Sequence, residues 1–224
     1  QSTDTCTNNF ATLNPLDNFY NASTFSEGNL KLSTTTTPEA YNSSTIAVSS
    51  GKWYCEIEYD TTASGSSVIG IVDGPPTAAN ASLHKQAQGW GYRDGGDVKN
   101  NDSAVSGTWA SYTAGDIIGI ALDLDNNRLF FSKDGVWQNS GDPTSSTGAI
   151  TGFSVPSATR NGGYFFWSGS NSNAQNNTVS WNFGNAPYSI SSGNADGNDR
   201  GNFEYAVPSG YLALCTKNIS EASS

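Results

Sequence analysis

The chain has 224 residues, of which 20 are acidic and 10 are basic, so its formal net charge is −10. Nucleic-acid binding and attraction to anionic membranes both need clustered Lys and Arg side chains, so this charge argues against both. No apolar run is long enough to span a membrane, and we expect no membrane insertion. Aromatic residues make up 12% of the chain and charged residues only 13%. That balance is typical of a folded, turn-rich β protein that works outside a cell or on a particle.

The N-terminal part of the chain is polar and irregular, and a strong strand pattern follows it. We expect residues 1–30 to form an arm packed on the domain. Residues 52–60 alternate between two faces, which predicts a long strand with one face in the core. The predicted inner face carries Trp53, Cys55, Ile57 and Tyr59, and the predicted outer face carries Lys52, Tyr54, Glu56, Glu58 and Asp60. Residues 67–72 form a short buried strand that ends at Asp73-Gly74.

The stretch from Gly115 to Gly135 predicts a hairpin. Apolar residues alternate along its first half, as on a strand with one buried face. Asn126-Asn127 suits a two-residue turn, because Asn tolerates positive φ. A second turn is expected at residues 133–135. Further strands are expected at residues 89–93, 163–168, 178–183 and 210–216.

No segment shows the sustained 3.6-residue periodicity of a helix, and residues 77–87 could hold one helical turn at most. Many short strands with turn signals between them predict a single all-β sandwich.

None of the three cysteines sits in a CxxC pair, and His84 is the single histidine. A structural zinc site needs four clustered Cys or His ligands, so we do not expect one. Cys55 lies in an apolar strand pattern and is expected to be a buried thiol. Cys6 and Cys215 lie near opposite ends of the chain. They could form a disulfide, or they could be two free thiols packed beside the same edge. We expect no cofactor.

Acidic residues on the predicted strand 52–60 raise the question of catalysis. Glu56 and Glu58 share a face, with side chains ~7 Å apart at a rise of ~3.3 Å per residue. A retaining glycoside hydrolase needs its two carboxyl groups ~5–5.5 Å apart. The favoured interpretation is a solvated outer face of a strand whose other face lies in the core, and a hydrolase is the alternative.

Two loops have the oxygen-rich composition of calcium sites. Asp123, Asp125 and Asn126 lack the glycine and the distal acid of an EF-hand loop, so turn chemistry explains them better. The second loop is a calcium candidate for which a polar surface loop is the favoured interpretation; its possible ligands are Asp196, Asn198, Asp199 and Glu204. We therefore expect no metal.

Nucleophilic catalysis is not indicated. Residues 82–85 and 49–52 both match the S-x-x-K pattern of some acyl-transfer enzymes, but the partner motifs are absent. A Ser-His-Asp triad would have to use His84, in a weakly structured loop. We expect the chain not to be an enzyme.

Aromatic side chains at strand ends and in loops indicate a binding surface instead. Trp and Tyr rings stack on sugars and anchor protein interfaces. The predicted ligand or partner surface comprises Tyr92, Arg93, Asp94, Trp109, Tyr112 and Trp137.

The ordered set of motifs resembles the SPRY (B30.2-like) family over roughly residues 45–190. The matching pieces are Gly51–Glu56, Val68–Ile71, Gly89–Tyr92, the Gly115–Gly135 hairpin and Val179–Gly184. The resemblance implies a bent antiparallel β-sandwich related to concanavalin-like lectins, with ligands bound by loops at one end and no catalytic residues. We expect the sandwich to span residues 31–216, followed by a C-terminal tail at residues 217–224.

A narrower resemblance reaches both ends of the chain. Residues 6–9 and 13–16, together with residues 192–198 and 208–218, look like segments of SPRY-containing structural proteins of tailed bacteriophages. This implies a virion surface decoration, fibre or tail protein. Its expected partners are other virion proteins or copies of itself, with host-surface glycans as a further candidate. The alternatives are a carbohydrate-binding adhesin, a glycoside hydrolase and a peptide-binding SPRY adaptor.

Overall fold

The computed structural model describes residues 4–17, 23–34, 40–61, 67–75, 82–170 and 177–222. Within these residues it contains two β-sheets and one short C-terminal helix. The strands are β1 (Thr24–Ser26), β2 (Lys31–Thr34), β3 (Tyr41–Val48), β4 (Lys52–Tyr59), β5 (Ser67–Val72), β6 (Gly89–Arg93), β7 (Asp97–Asn100), β8 (Ser103–Ala104), β9 (Ile117–Asp123), β10 (Arg128–Lys133), β11 (Val136–Trp137), β12 (Tyr164–Ser170), β13 (Asn177–Asn182) and β14 (Leu212–Ala213), and the helix is α1 (Thr216–Ala222).

The first sheet has the strand order β1-β2-β13-β4-β9-β10-β11, and β14 pairs with β4 in parallel. The second sheet has the order β3-β12-β5-β6-β7-β8. All pairings other than β14 with β4 are antiparallel among the described strands. The prediction of an all-β sandwich is confirmed.

The main core fills the space between the two sheets. The inner residues of β4 that the alternation predicts are all buried, and Trp181 and Ile118 pack in the same cluster from β13 and β9. A second, smaller cluster covers the outer face of the second sheet around Trp167 and Val68. Both faces of that sheet are therefore partly covered by apolar side chains.

The turns of the central hairpin differ from the prediction at Asn126-Asn127. Arg128 pairs with Asp123, so the loop between β9 and β10 spans residues 124–127 rather than two residues. Asp123 explains the longer loop, because its carboxylate accepts hydrogen bonds from the backbone and side-chain nitrogens of Asn126. The second turn, expected at residues 133–135, is confirmed as a two-residue turn at Asp134-Gly135, where both residues have positive φ.

Both ends of the described chain pack against the sandwich. Phe10 and Leu13 are buried in the main core. Thr45 N–H donates to Thr12 O at 2.7 Å beside β3, and Thr216 N–H donates to Asn9 O at 2.9 Å. The arm therefore bridges one edge of the second sheet and the C-terminal segment. The predicted boundaries at residues 30 and 216 stay predictions.

The C-terminal segment corrects two expectations. The predicted strand at residues 210–216 is reduced to the two residues of β14, and α1 follows it although no helical periodicity indicates a helix. A seven-residue helix is shorter than the window of about 11–18 residues over which that periodicity is read. It is fastened by Asn218, whose side-chain nitrogen donates to Asp196 Oδ2 at 2.7 Å and to Ala213 O at 2.8 Å.

The cysteines are all free thiols. Cys55 is buried, as predicted, and Cys215 is buried while Cys6 is exposed. Cys6 and Cys215 are not joined in a disulfide. The backbone of Cys215 forms an isolated antiparallel bridge with that of Phe10, and Cys6 lies four residues before Phe10 in the sequence.

The part of the chain that the structure describes contains no helix that is long and apolar enough to cross a membrane. Residues 77–81 of the proposed helical turn and the loop 171–176 lie outside the described residues. The remainder of that turn is a short 3-10 helix at Leu83–Lys85.

The close approach of β5 and β6 yields the first prediction. A Cβ atom added at Gly70 would lie 1.8 Å from the carbonyl oxygen of Trp90. We expect Gly70→Ala to destabilise the fold by about 1–3 kcal/mol, because the backbones must separate. Urea unfolding measures the loss. Gly95→Ala is the matched control, since an added Cβ there meets nothing within 4 Å; equal stability of the two variants would contradict the prediction.

Candidate binding site

The predicted aromatic surface is largely an internal cluster. Tyr92, Tyr112 and Asp94 are buried, which corrects their expected exposure. The Tyr92 ring lies 5.2 Å from that of Tyr112 and 5.3 Å from that of Phe131, between centroids. The hydroxyl of Tyr92 donates to Ala110 O, and that of Tyr112 donates to Tyr92 O at 3.2 Å. The ring contact of Tyr92 with Phe131 joins the two sheets.

Arg93, Trp109 and Trp137 are the members of the predicted set with partly exposed side chains. Arg93 forms an ion pair with Asp97 at 3.2 Å. The indole N–H of Trp109 donates to Val105 O at 3.3 Å. Trp137 packs edge-on against Tyr54 and Phe130, with centroid distances of 6.4 Å to each. Each of these three side chains therefore contacts other residues of the chain through its charged, hydrogen-bonding or aromatic group.

Trp109 and Trp137 mark a seam where an edge of each sheet meets. The N–H of Asn139 donates to Thr108 O at 3.0 Å, and the N–H of Ala110 donates to the side chain of Gln138 at 2.9 Å. These bonds tie the segment after β8 to the segment after β11. The seam closes the two edges at β8 and β11, which would otherwise offer unpaired backbone groups.

Two surface hollows lie at one end of the sandwich, where β5 and β7 end and β6 and β12 begin. The larger, here called the Arg160 hollow, has a volume of about 500 Å³. It is lined by Asp73, Lys85, Gln86, Ala87, Gln88, Ser154, Ala158 and Arg160. No local motif indicates it, because its polar wall comes from two connections that lie far apart in the sequence, the one between β5 and β6 and the one that precedes β12.

Arg160 fixes the wall of this hollow. Its guanidinium donates to Asp73 Oδ1 from Nε at 3.0 Å and from Nη2 at 2.8 Å, and the Asp73 side chain is buried. Further donations reach Gly74 O at 3.0 Å and Gln86 Oε1 at 2.6 Å. Charge-assisted bonds of this kind hold loops in one arrangement. These hydrogen bonds fix the geometry of the hollow.

The second hollow, here called the Trp90 hollow, has a volume of about 290 Å³ and lies between the β7–β8 hairpin and residues 149–152. Trp90 and Ile150 are buried at its base. None of its described lining residues carries a charge; they are Trp90, Asn100, Val105, Ser106, Ala149, Ile150, Thr151 and Gly152.

One segment, residues 149–160, separates the two hollows. Phe153 packs edge-on against Trp90 at 5.4 Å and against Tyr164 at 5.5 Å, between centroids. The side-chain oxygen of Gln88 accepts hydrogen bonds from Ser154 N at 2.9 Å and from the Tyr164 hydroxyl at 2.7 Å. Aromatic packing and these bonds fix the segment, so both hollows have rigid walls.

The alternation of β4 predicts that Glu56 lies on a solvated face. This prediction is wrong, because Glu56 is buried. Residues 203–205 lie over it, and its carboxylate accepts hydrogen bonds from the N–H groups of Glu204 at 2.9 Å and Tyr205 at 2.8 Å. Tyr54 Oη and Asn182 Nδ2 donate to it as well, at 3.0 and 3.3 Å. Burial raises the pKa of this carboxyl. The hydrogen bonds give Glu56 a structural role, and no substrate can reach it through the segment above.

Glu58 and Asp60 form a half-buried acidic pair beside Glu56. Burial and the neighbouring Asp60 carboxylate raise the pKa of Glu58 to about 7. Asp60 is engaged by Lys31 at 3.2 Å and by the Ser180 hydroxyl at 2.7 Å. The hydrolase alternative would pair Glu58 with Glu56. Because Glu56 is buried, these two carboxylates are not both accessible to solvent.

The second calcium candidate is a hydrogen-bonded loop. Asp196 Oδ1 accepts from Asn198 N at 2.8 Å and Arg200 N at 2.9 Å, and Asp196 Oδ2 accepts from Ala213 N at 2.9 Å. The Glu204 carboxylate instead accepts from Ser191 N at 2.6 Å, while Asp199 belongs to the turn that begins at Asp196. No cluster of three or more potential metal ligands occurs in the described ranges.

His84 is buried, and its Nδ1 atom lies 2.7 Å from Ser82 Oγ, which is also buried. Burial is the main cause that lowers the pKa of His84 to about 4. The imidazole stacks near Trp167. Ser82 and His84 are therefore packed against the second sheet beside Trp167, and the Ser82 hydroxyl is not exposed as a nucleophile.

The two-sheet sandwich carries two hollows at one end, and its buried carboxylates Glu56, Asp73 and Asp196 accept hydrogen bonds from loops. The model of the SPRY domain family matches residues 52–184, which is more than half of the chain. The chain belongs to the SPRY family. SPRY domains usually serve as protein–protein interaction modules and are generally non-catalytic.

Solved structures share this fold. The SPRY domain of human HERC1 is 15% identical, with a TM-score of 0.57, over 75% of this chain and 96% of that domain. Stonustoxin is 20% identical, with a TM-score of 0.53, over 77% of this chain and 27% of the toxin chain. No curated protein was found to match the chain in sequence. These structures establish the fold and not a ligand.

The buried position of Glu56 predicts a structural effect. Glu56→Ala removes an acceptor shared by two backbone N–H groups, and each buried donor left unpaired costs about 1–3 kcal/mol. We expect a loss of about 3 kcal/mol in the free energy of unfolding, measured with urea. Glu58→Ala, on the same face of β4 but half-buried, is the control. A loss no larger than that of the control would refute the structural role.

The raised pKa of Glu58 predicts that replacing this residue changes the free energy of unfolding in a pH-dependent way. The folded state prefers the protonated carboxyl, so this contribution to stability is present below the ordinary value of 4.5 and is lost as pH rises through about 7. Glu58→Gln keeps the side chain neutral. We expect the stability of this variant relative to wild type to increase between about pH 5 and about pH 8 in urea unfolding. A difference that stays constant over this range would contradict the prediction.

Proposed function

We propose that the chain is a non-catalytic binding module that serves as a surface structural or appendage protein of a bacteriophage virion. It binds a segment of a neighbouring virion protein at the Arg160 and Trp90 hollows. The observation that carries the binding site is the pair of rigid hollows on either side of residues 149–160, one polar and one with an aromatic base.

The two hollows suit a protein partner. The Trp90 hollow offers an uncharged recess with an aromatic base, the type of pocket that receives an apolar anchor side chain at an interface. The Arg160 hollow beside it offers amide and charged groups to a partner backbone. Because the walls are already held by hydrogen bonds, little ordering is needed on binding, which favours affinity.

Two features of the sequence support a location on the virion surface. Segments near both termini resemble phage structural proteins, and the chain is acidic with few charged residues overall. Net charge of one sign favours solubility at the concentrations that assembly requires. An enzymatic role has less support, because Glu56 and His84 are both buried.

Carbohydrate binding is the second candidate, favoured by the partly exposed Trp109 and Trp137 at the seam. Stacking on a sugar needs a free ring face. Binding of the wild-type chain on a glycan array, lost in Trp137→Ala, would support this candidate.

The proposed function predicts that the chain is a stoichiometric component of purified particles of the phage that encodes it, detected by mass spectrometry. Particles assembled with Ala87→Trp or Thr151→Trp are expected to carry at least about tenfold less of the chain, because exposed rim positions of the hollows are blocked. Ser111→Trp, an exposed position near the opposite end of the sandwich, is the control. Absence of the wild-type chain from particles would refute the virion role, and equal occupancy of all three variants would refute the site.

A further inference from the structure

Leu16 is the most exposed of the large apolar side chains in the described residues, at 94%. It lies in a tight turn in which the N–H of Asp17 donates to Asn14 O at 3.0 Å. The side-chain oxygen of Asn14 also accepts the N–H of Leu16 at 3.1 Å. Pro15 precedes Leu16 and restricts the backbone of the turn.

The turn is fastened to β3 by buried polar groups. Asn42 Nδ2 donates to Asn14 O at 2.6 Å and to Asp17 O at 3.2 Å, and Ser43 Oγ donates to Asp17 Oδ2. Asn42 and Ser43 are both buried. A large apolar side chain is therefore displayed on a fixed support, which reduces the ordering cost of inserting it into a partner.

The Trp90 hollow has the chemistry to receive such a side chain. Its base is formed by Trp90 and Ile150, and its described lining carries no charge. Its volume of about 290 Å³ leaves room for a branched four-carbon side chain.

Leu16 and the Trp90 hollow lie at opposite edges of the second sheet. The Leu16 turn is bonded to β3, the first strand in the sheet order, and the hollow borders β7 and β8, the last two. Within one chain, Leu16 cannot reach the Trp90 hollow, but the Leu16 of one copy can reach the hollow of another. We infer that Leu16 of one copy inserts into the Trp90 hollow of the next, in a head-to-tail contact that repeats along an assembly.

Such a heterologous contact produces rings or filaments rather than closed two-fold dimers. It rests on the proposed function in that it names a second copy of the chain as the partner of the Trp90 hollow. With a net charge of −10, copies repel one another at low salt. Screening reduces this repulsion while an apolar contact persists, so association increases with salt concentration.

Analytical ultracentrifugation of the full chain tests the inference at about 1 mM protein, since one inserted side chain supports only weak association. The wild type is expected to form species larger than dimers, in amounts that rise with salt. Leu16→Asp and Thr151→Trp are each expected to sediment as monomers. Val136→Asp and Ser111→Trp are the matched controls; Val136 is 67% exposed, and both controls are expected to associate like the wild type.

A mixture of the two defective variants gives the decisive result. The intact Leu16 of the Thr151→Trp chain can enter the intact hollow of the Leu16→Asp chain, so the mixture is expected to form pairs and nothing larger. Monomeric wild type, unchanged association of Leu16→Asp, or a mixture without pairs would overturn the inference. Self-association that survives Thr151→Trp, while particle occupancy is lost, would overturn it and leave the proposed function intact. If the chain associates head to tail but is absent from phage particles, the inference is supported and the virion role is refuted.

Discussion

The structure depends on the burial of β4 on both of its faces. Trp53 and Ile57 face the other sheet in the main core, and Tyr54 and Glu56 lie beneath the segment that precedes β14. A buried carboxylate is tolerated only when hydrogen bonds replace its water. Glu56 meets this condition by accepting the N–H groups of Glu204 and Tyr205. The central strand thereby holds the C-terminal segment that covers it.

Other acidic side chains act in the same way. Asp196 accepts backbone N–H groups within its own loop and from Ala213, and Asp73 binds the guanidinium of Arg160. Each carboxylate fixes a segment that has little apolar surface of its own. Charge-assisted hydrogen bonds to backbone groups are stronger than neutral ones, which makes a few acids sufficient to order long polar loops. The rigid walls of the Arg160 hollow follow from this use of charge.

Residue patterns predict the strands and much less of the binding site. The alternation in β4 and β9 identifies the core face correctly, because a two-residue period can be read locally. The same alternation wrongly predicts an exposed Glu56, since the covering residues lie almost 150 positions later in the chain. Tyr92 and Tyr112 resemble surface aromatics because they occur at a strand end and in a loop, yet they pack together across the sandwich. The hollows are built from loops distant in sequence, so no single motif indicates them.

We propose that partners bind at the end of the sandwich that carries the two hollows. Site-specific photo-cross-linking tests it most directly, with the cross-linker placed at exposed Ala87 or at exposed Ser111 and the chain incorporated into phage particles. We expect Ala87 to yield a discrete cross-link to a virion protein and Ser111, near the opposite end, to yield none. Cross-links from Ser111 alone, or equally from both positions, would show that partners bind elsewhere.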